Sequence, residues 1–144
     1  MKMKSKITHK TQLFFVFGIA LMLILLKVPT TCHSFEIAID VAPNTLNLES
    51  QGTVVTVHTS IKYFSVDHEN VYLNGIKISS WKADNRGYFV AKFLMSDVKA
   101  LAETGDLTVP GENELTLIGY TTDNAEFTGS QTITVIDIAP RGKQ

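Results

Sequence analysis

A single cysteine occurs in the 144 residues, Cys32, and it lies just after a long apolar run near the start of the chain. The rest of the sequence therefore offers neither a disulfide framework nor a thiolate zinc site. Histidine is almost as scarce. Beyond residue 34 only His58 and His68 remain, which leaves little from which to assemble a nucleophile with a histidine base. His58 falls on the polar face of a predicted strand and His68 in the segment Asp67-His68-Glu69-Asn70; both are expected at the surface. The 9 glycines are scattered at turns, so no Gly-rich loop is available to cradle a phosphate. Internal repeats, low-complexity tracts and linkers are absent as well.

What is present begins with a secretory leader plan. Lys2, Lys4, Lys6 and Lys10 precede 14 uncharged residues, Leu13 to Leu26, and Lys27 and Pro29 follow. A helix needs about 20 apolar residues to span a bilayer core, so the run is short for a stable span. Small residues one and three before the bond place the expected cut in Cys32-His33-Ser34, ahead of Phe35. Residues 1–34 are thus read as a signal peptide and 35–144 as one domain, secreted, periplasmic or at the cell surface. An uncleaved anchor is the competing reading, and it would tie the chain to a membrane through the leader. Lipid attachment at Cys32 is a third, poorly served by Pro29-Thr30-Thr31. Cleavage leaves 110 residues with 8 basic and 14 acidic side chains, a net charge of −6. That balance argues against nucleic acid, anionic membranes and other polyanions as partners.

After the leader the composition turns to Val, Ile, Thr, Phe and Tyr in short runs. Phe35 to Val41 alternates and is predicted as one strand, closed by Pro43-Asn44. Leu46 and Leu48 form a brief second pair, and Thr53 to Thr59 places Val55 and Val57 inward with Thr56 and His58 outward. Asn74-Gly75 is a two-residue type I′ hairpin signal. It sets Leu73 against Ile76 and Val71 against Ile78 on the apolar face, with Tyr72 against Lys77 on the other. Asp84-Asn85-Arg86-Gly87 reads as a turn before the strand Tyr88 to Leu94. Ser96 to Glu103 has helical spacing, with Ser96 as the cap, and stops near Gly105. Glu112 to Tyr120 and Gln131 to Ile138 are the last strands. In the latter both faces are apolar, which implies a bulge or burial on both sides. The fold class is all-β: an immunoglobulin-like, antiparallel two-sheet sandwich of about seven strands with one short helix.

Two stretches carry a family likeness: Ile39 to Leu48 with the valine-rich strand after Gly52, and Leu115 to Ile136 with Phe127-Thr128-Gly129 inside it. With Val71-Tyr72-Leu73-Asn74-Gly75 between them, nearly the whole mature chain resembles immunoglobulin-like β-sandwich modules of secreted bacterial proteins. Such modules often carry Asp-Gly at the last turn, where this chain has Asp123-Asn124-Ala125. The resemblance implies an exported, non-catalytic accessory or surface domain. It transfers no site residues.

The candidate chemistry is correspondingly thin. Asp67, Glu69, Glu112 and Glu114 are the carboxylates that would have to converge for glycoside hydrolysis. Asp67, Glu69, Asn70 and the Asp123-Asn124 turn offer oxygen ligands for calcium, but without the spacing of a calcium loop; turn formation explains them without a metal. No catalytic, metal or cofactor residues are assigned. Counting by twos from the hairpin puts Trp81 outward with Tyr72 and Lys77, where Tyr88 would join as a possible ligand face for sugar stacking. The opposite reading bends the strand after Ser79-Ser80 and turns the indole into the core. The expected function is a non-catalytic interaction or structural module that binds a protein or polysaccharide outside the cell, with a small carbohydrate-binding module as the alternative.

Overall fold

The computed structural model describes residues 33–139, and the expected leader lies outside them apart from His33 and Ser34. Ten strands follow: β1 (Ser34–Glu36), β2 (Ile39–Ala42), β3 (Thr45–Asn47), β4 (Val54–Lys62), β5 (Val66–Leu73), β6 (Ile76–Lys77), β7 (Ser80–Ala83), β8 (Tyr88–Leu94), β9 (Gly111–Thr121) and β10 (Glu126–Ile136). One helix, α1 (Met95–Glu103), separates β8 from β9. The strands form an all-β sandwich. One sheet runs β1-β10-β9-β5-β6, with β3 also on β10, and the other runs β2-β4-β8-β7.

Period-two alternation makes these strands, because successive side chains of a pleated chain point to opposite faces. In β4, Val55, Val57, Thr59 and Ile61 turn inward while Thr56, His58 and Lys62 face out. Opposite them stand Leu115 and Leu117 of β9, and Phe89, Phe93 and Phe127 fill the largest fully buried places. The one buried hydroxyl on β4, Thr59, donates to the carbonyl of Phe89 at 2.7 Å. The Asn74-Gly75 hairpin has the predicted register, Tyr72 with Lys77 and Leu73 with Ile76. Its two turn residues have φ of 45° and 84°, as a type I′ turn requires. Asn74 is held from β9 as well: its side-chain oxygen accepts the Thr116 N–H at 2.7 Å.

Several expectations are corrected. The run Phe35 to Val41 is two strands, because the chain changes sheets in its middle. The Ile37 N–H donates to the Thr128 carbonyl at 2.8 Å, whereas the Ala38 N–H donates to the Ser60 hydroxyl in the other sheet at 3.0 Å. The sandwich is also not wholly antiparallel, since β1 and β3 both pair parallel with β10. Gly129 marks no break between strands. It lies inside β10, where a side chain would meet Ile39 at 2.6 Å and the Ile37 carbonyl at 2.8 Å, so glycine admits the crossing segment. β10 has no bulge against β9; it ends at Ile136, and Ile138 beyond it is 58% exposed. Helix α1 starts without Ser96 as its cap: Ser96 donates to Asp97 instead, at 3.2 Å.

Candidate binding cleft

Both sheets are irregular at the same end. In β4 the register passes from His58↔Val90 directly to Lys62↔Tyr88. In β5 it passes from Val66↔Thr121 to Val71↔Gly119, five steps on one strand against two on the other. Bulges of this kind bend a strand and re-aim its side chains. Between the two lies a single 3-10 turn, Tyr63–Ser65. The turn is pinned to the β9–β10 connection by the Thr122 N–H, which donates to the Ser65 carbonyl at 2.9 Å.

The β5 bulge corrects the placement of His68, expected in an exposed loop. His68 lies within β5 and is half-buried. Its ring stacks 4.2 Å from Tyr63, 5.5 Å from Phe89 and 5.7 Å from Trp81. Its Nε2 is 2.9 Å from the Tyr63 carbonyl oxygen; a carbonyl only accepts, so Nε2 carries the hydrogen in this contact. His58 does face solvent.

Trp81 reaches this cluster from the other sheet. Between Lys77 and Ser80 the chain leaves one sheet for the other: the Ile78 N–H donates to Val71 and the Ser79 N–H to Lys92. Counting by twos across that passage loses its meaning. Trp81 then pairs with Ala91 and shares its core-facing side, but on an edge strand, where it remains 36% exposed. It is therefore turned inward without being buried. Tyr72 and Lys77 lie on the outer face of the six-stranded sheet. Tyr88 lies on the outer face of the four-stranded sheet, with the Lys62 amine 3.8 Å above its ring and the Arg86 guanidinium 5.4 Å away. The four residues expected on one ligand face thus occupy three places.

What the structure does bring together is a cleft of about 520 Å³ on the open side between β5 and β7. Trp81 and Phe64 give it aromatic walls, Asp67 and Glu69 supply carboxylates, and Thr122 and Asn124 close the rim. Phe64 is 78% exposed. No lysine or arginine lines the cleft. Asp67 accepts the Asn70 amide at 2.5 Å, so part of its capacity is used within the bulge. Sequence reasoning missed Phe64 entirely. A parity signal existed nearby: Val66 and Val71 both pack in the one core cluster yet stand an odd number of residues apart, which unbroken alternation cannot bring to one face.

Glu112 and Glu114 do not join Asp67 and Glu69. They lie on the outer face of β9, opposite Thr134 and Thr132, so the four carboxylates make no common centre. Among the described residues no three His, Cys, Asp or Glu side chains are grouped to hold a metal ion. Asp123 instead accepts the Thr121 hydroxyl at 2.5 Å within its turn. Asp84 organises the β7–β8 turn. The Tyr88 N–H holds its carboxyl below the ordinary range, aided by the N–H and guanidinium of Arg86 and opposed by partial desolvation.

No family model and no curated protein matches the sequence. One solved structure, described as "Structural insight into host cell surface retention of a 1.5-MDa bacterial ice-binding adhesin", aligns at 16% identity and a TM-score of 0.40. The alignment covers 76% of this chain, which spans only 33% of that one. So loose a superposition carries no argument about partners.

Proposed function

We propose that this chain is an exported, non-catalytic interaction module of immunoglobulin-like type that takes its partner at the cleft beside Trp81. The strand order supports the type. The order β2-β4-β8-β7 against β10-β9-β5 is what an A-B-E-D and G-F-C arrangement would give, with the first strand shared between sheets. The basic, apolar and small-residue plan of residues 1–34 supports export. The observation that carries the binding reading is the aromatic pair. Phe64 and Trp81 stand open to solvent at a cleft whose backbone is fixed by two bulges and an inter-turn hydrogen bond. The cleft borders the β4–β5 and β9–β10 turns, the end at which immunoglobulin variable domains carry binding loops.

A second reading, a small carbohydrate-binding module, is favoured by the composition of that cleft. Sugar rings stack on indole and phenyl faces while carboxylates and amides bind their hydroxyls, and Asp67, Glu69 and Asn124 are positioned beside the two rings. The only tryptophan makes the test direct. Its emission is followed while glycans, or proteins recovered from the same culture, are added to the wild type, Phe64→Ala and Asp67→Asn. A partner that shifts the emission, and whose affinity falls at least tenfold in Phe64→Ala, identifies the class. If every binder found is indifferent to Phe64, the cleft is not the site.

A further inference from the structure

Pairing across the four-stranded sheet fixes what its outer face displays. Lys82, Val90, His58 and Asp40 form one row across β7, β8, β4 and β2, with Val90 itself fully buried. Ser80, Lys92, Thr56 and Ala42 form the next, and Lys62 and Tyr88 stand together toward the 84–87 turn. The described residues contain 14 Asp and Glu but only six Lys and Arg. Four of those six, Lys62, Lys82, Arg86 and Lys92, gather on this face and its rim.

Of the four, only Arg86 is paired with a carboxylate, that of Asp84. Asp40 sits at the far edge of its row, on β2. Asp84 is bound by the backbone N–H groups of Arg86 and Tyr88 at 2.8 Å each, with the Arg86 guanidinium 3.6 Å away. Lys82 and Lys92 are diagonal neighbours, about 7–8 Å apart at the backbone, where like charges repel. The acids of the other sheet point elsewhere: Glu112, Glu114 and Glu126 stand on its outer face with Thr134, Thr132 and Tyr120. An acidic domain thus carries a segregated basic plate, the footprint by which proteins attract polyanions.

We propose that this plate binds a linear polysaccharide bearing carboxylates. The flat sheet offers no helix or ribbon for a nucleic-acid groove. Of its two rings, Tyr88 is covered by Lys62 and Arg86, and the lone imidazole of His58 gives no run of platforms for successive stacked bases. Hydroxyls stand among the cations instead: Thr56 and Ser80 lie in the Lys92 row. At the edge of the plate Asp40, His58, Ser60, Arg86 and Tyr88 border a shallow depression of about 460 Å³, large enough to seat a sugar ring through its hydroxyls while the carboxylates of its neighbours lie along the lysines. This site is separate from the cleft beside Trp81 and does not depend on it.

Binding of the full-length chain to sodium polygalacturonate, neutral dextran and single-stranded DNA tests the proposal across a range of salt. Polygalacturonate should bind, with log affinity falling against log salt at a slope of about −2 for the three unpaired lysines, by analogy with single-stranded nucleic acids. The double variant Lys82→Glu/Lys92→Glu should bind at least tenfold more weakly with its thermal midpoint preserved. Lys82→Gln/Lys92→Gln should fall between, and Phe64→Ala should bind as the wild type does. Equal affinity for dextran, no salt dependence, or a double reversal without effect would overturn the proposal. DNA binding as tight as polygalacturonate overturns the saccharide assignment. Salt-reversible self-association without polymer, lost in the double reversal, would assign the plate to the acidic face of a second copy.

Discussion

Gly119 and Phe127 face each other across β9 and β10, and the phenyl ring lies directly over the glycine. A methyl group at position 119 would overlap the ring's Cζ and approach Cε1 and Cε2 to 2.9 Å. Phe127 is 0% exposed, so the ring can yield only by displacing the core around it. Overpacking of this kind costs about 1–3 kcal/mol. Replacing glycine within a strand returns less than about 1 kcal/mol of backbone entropy. Gly119→Ala should therefore destabilise by about 1–2 kcal/mol, which for a domain of roughly 100 residues lowers the thermal midpoint by about 5–15 °C. Thermal and urea unfolding followed by circular dichroism measure this. In combination with Phe127→Leu, whose smaller side chain makes room for the methyl, the two losses should be less than additive by about 1 kcal/mol. An unchanged or raised midpoint in Gly119→Ala, or strict additivity in the double variant, would refute the argument.

The Asn74-Gly75 turn makes a second case: Gly75 has φ of 84° with open space where a side chain would go. Gly75→Val should cost about 1–2 kcal/mol through backbone strain alone, read as a lower denaturation midpoint with an unchanged m-value. The depressed carboxyl of Asp84 gives a pH dependence. Its folded value lies below its unfolded one, so the unfolded chain binds the proton more readily and the stabilisation, full above the ordinary carboxylate value of 3.8, is lost as pH falls below it. Asp84→Asn should make the fall in stability below pH 3.8 shallower, as followed by urea midpoints. Intact-mass measurement of the secreted chain should give a start near Phe35; a product retaining Met1 would contradict the expected cut.

What was legible in the sequence follows from which signals are local. Asn74-Gly75 fixed a register because turn chemistry and side-chain parity agree within nine residues. The inward sets Val55–Val57 and Phe89–Phe93 were legible for the same reason, since alternation needs no knowledge of the partner strand. Alternation is silent, however, about which sheet a strand joins. Phe35 to Val41 keeps perfect parity while crossing from β10 to β4, and the crossing is visible only in the space Gly129 leaves for it. Trp81 could be read either way for a related reason, because two residues of passage between sheets reset the count; its pairing with Ala91 follows the inward reading, with the strand bending after Ser79-Ser80. The basic plate was hidden by averaging. A net charge of −6 concealed four cations that β4, β7 and β8 bring together from positions 62, 82, 86 and 92.

The parallel seating of β1 and β3 on β10 has a mechanical meaning. The chain enters the sandwich at Ser34, level with Glu126, and leaves it after Ile136, level with Asn47. These levels are the two ends of a strand about 35 Å long. A force drawing the two chain ends apart therefore acts along β10, and it would slide both first-strand segments lengthwise past it. Every ladder bond at Ser34–Glu36 and Thr45–Asn47 is then loaded at once, in shear, whereas antiparallel neighbours pulled from a shared end peel open one bond at a time. The terminal pairing makes the sandwich stiffest along its own chain axis, the direction in which a tethered domain is stretched.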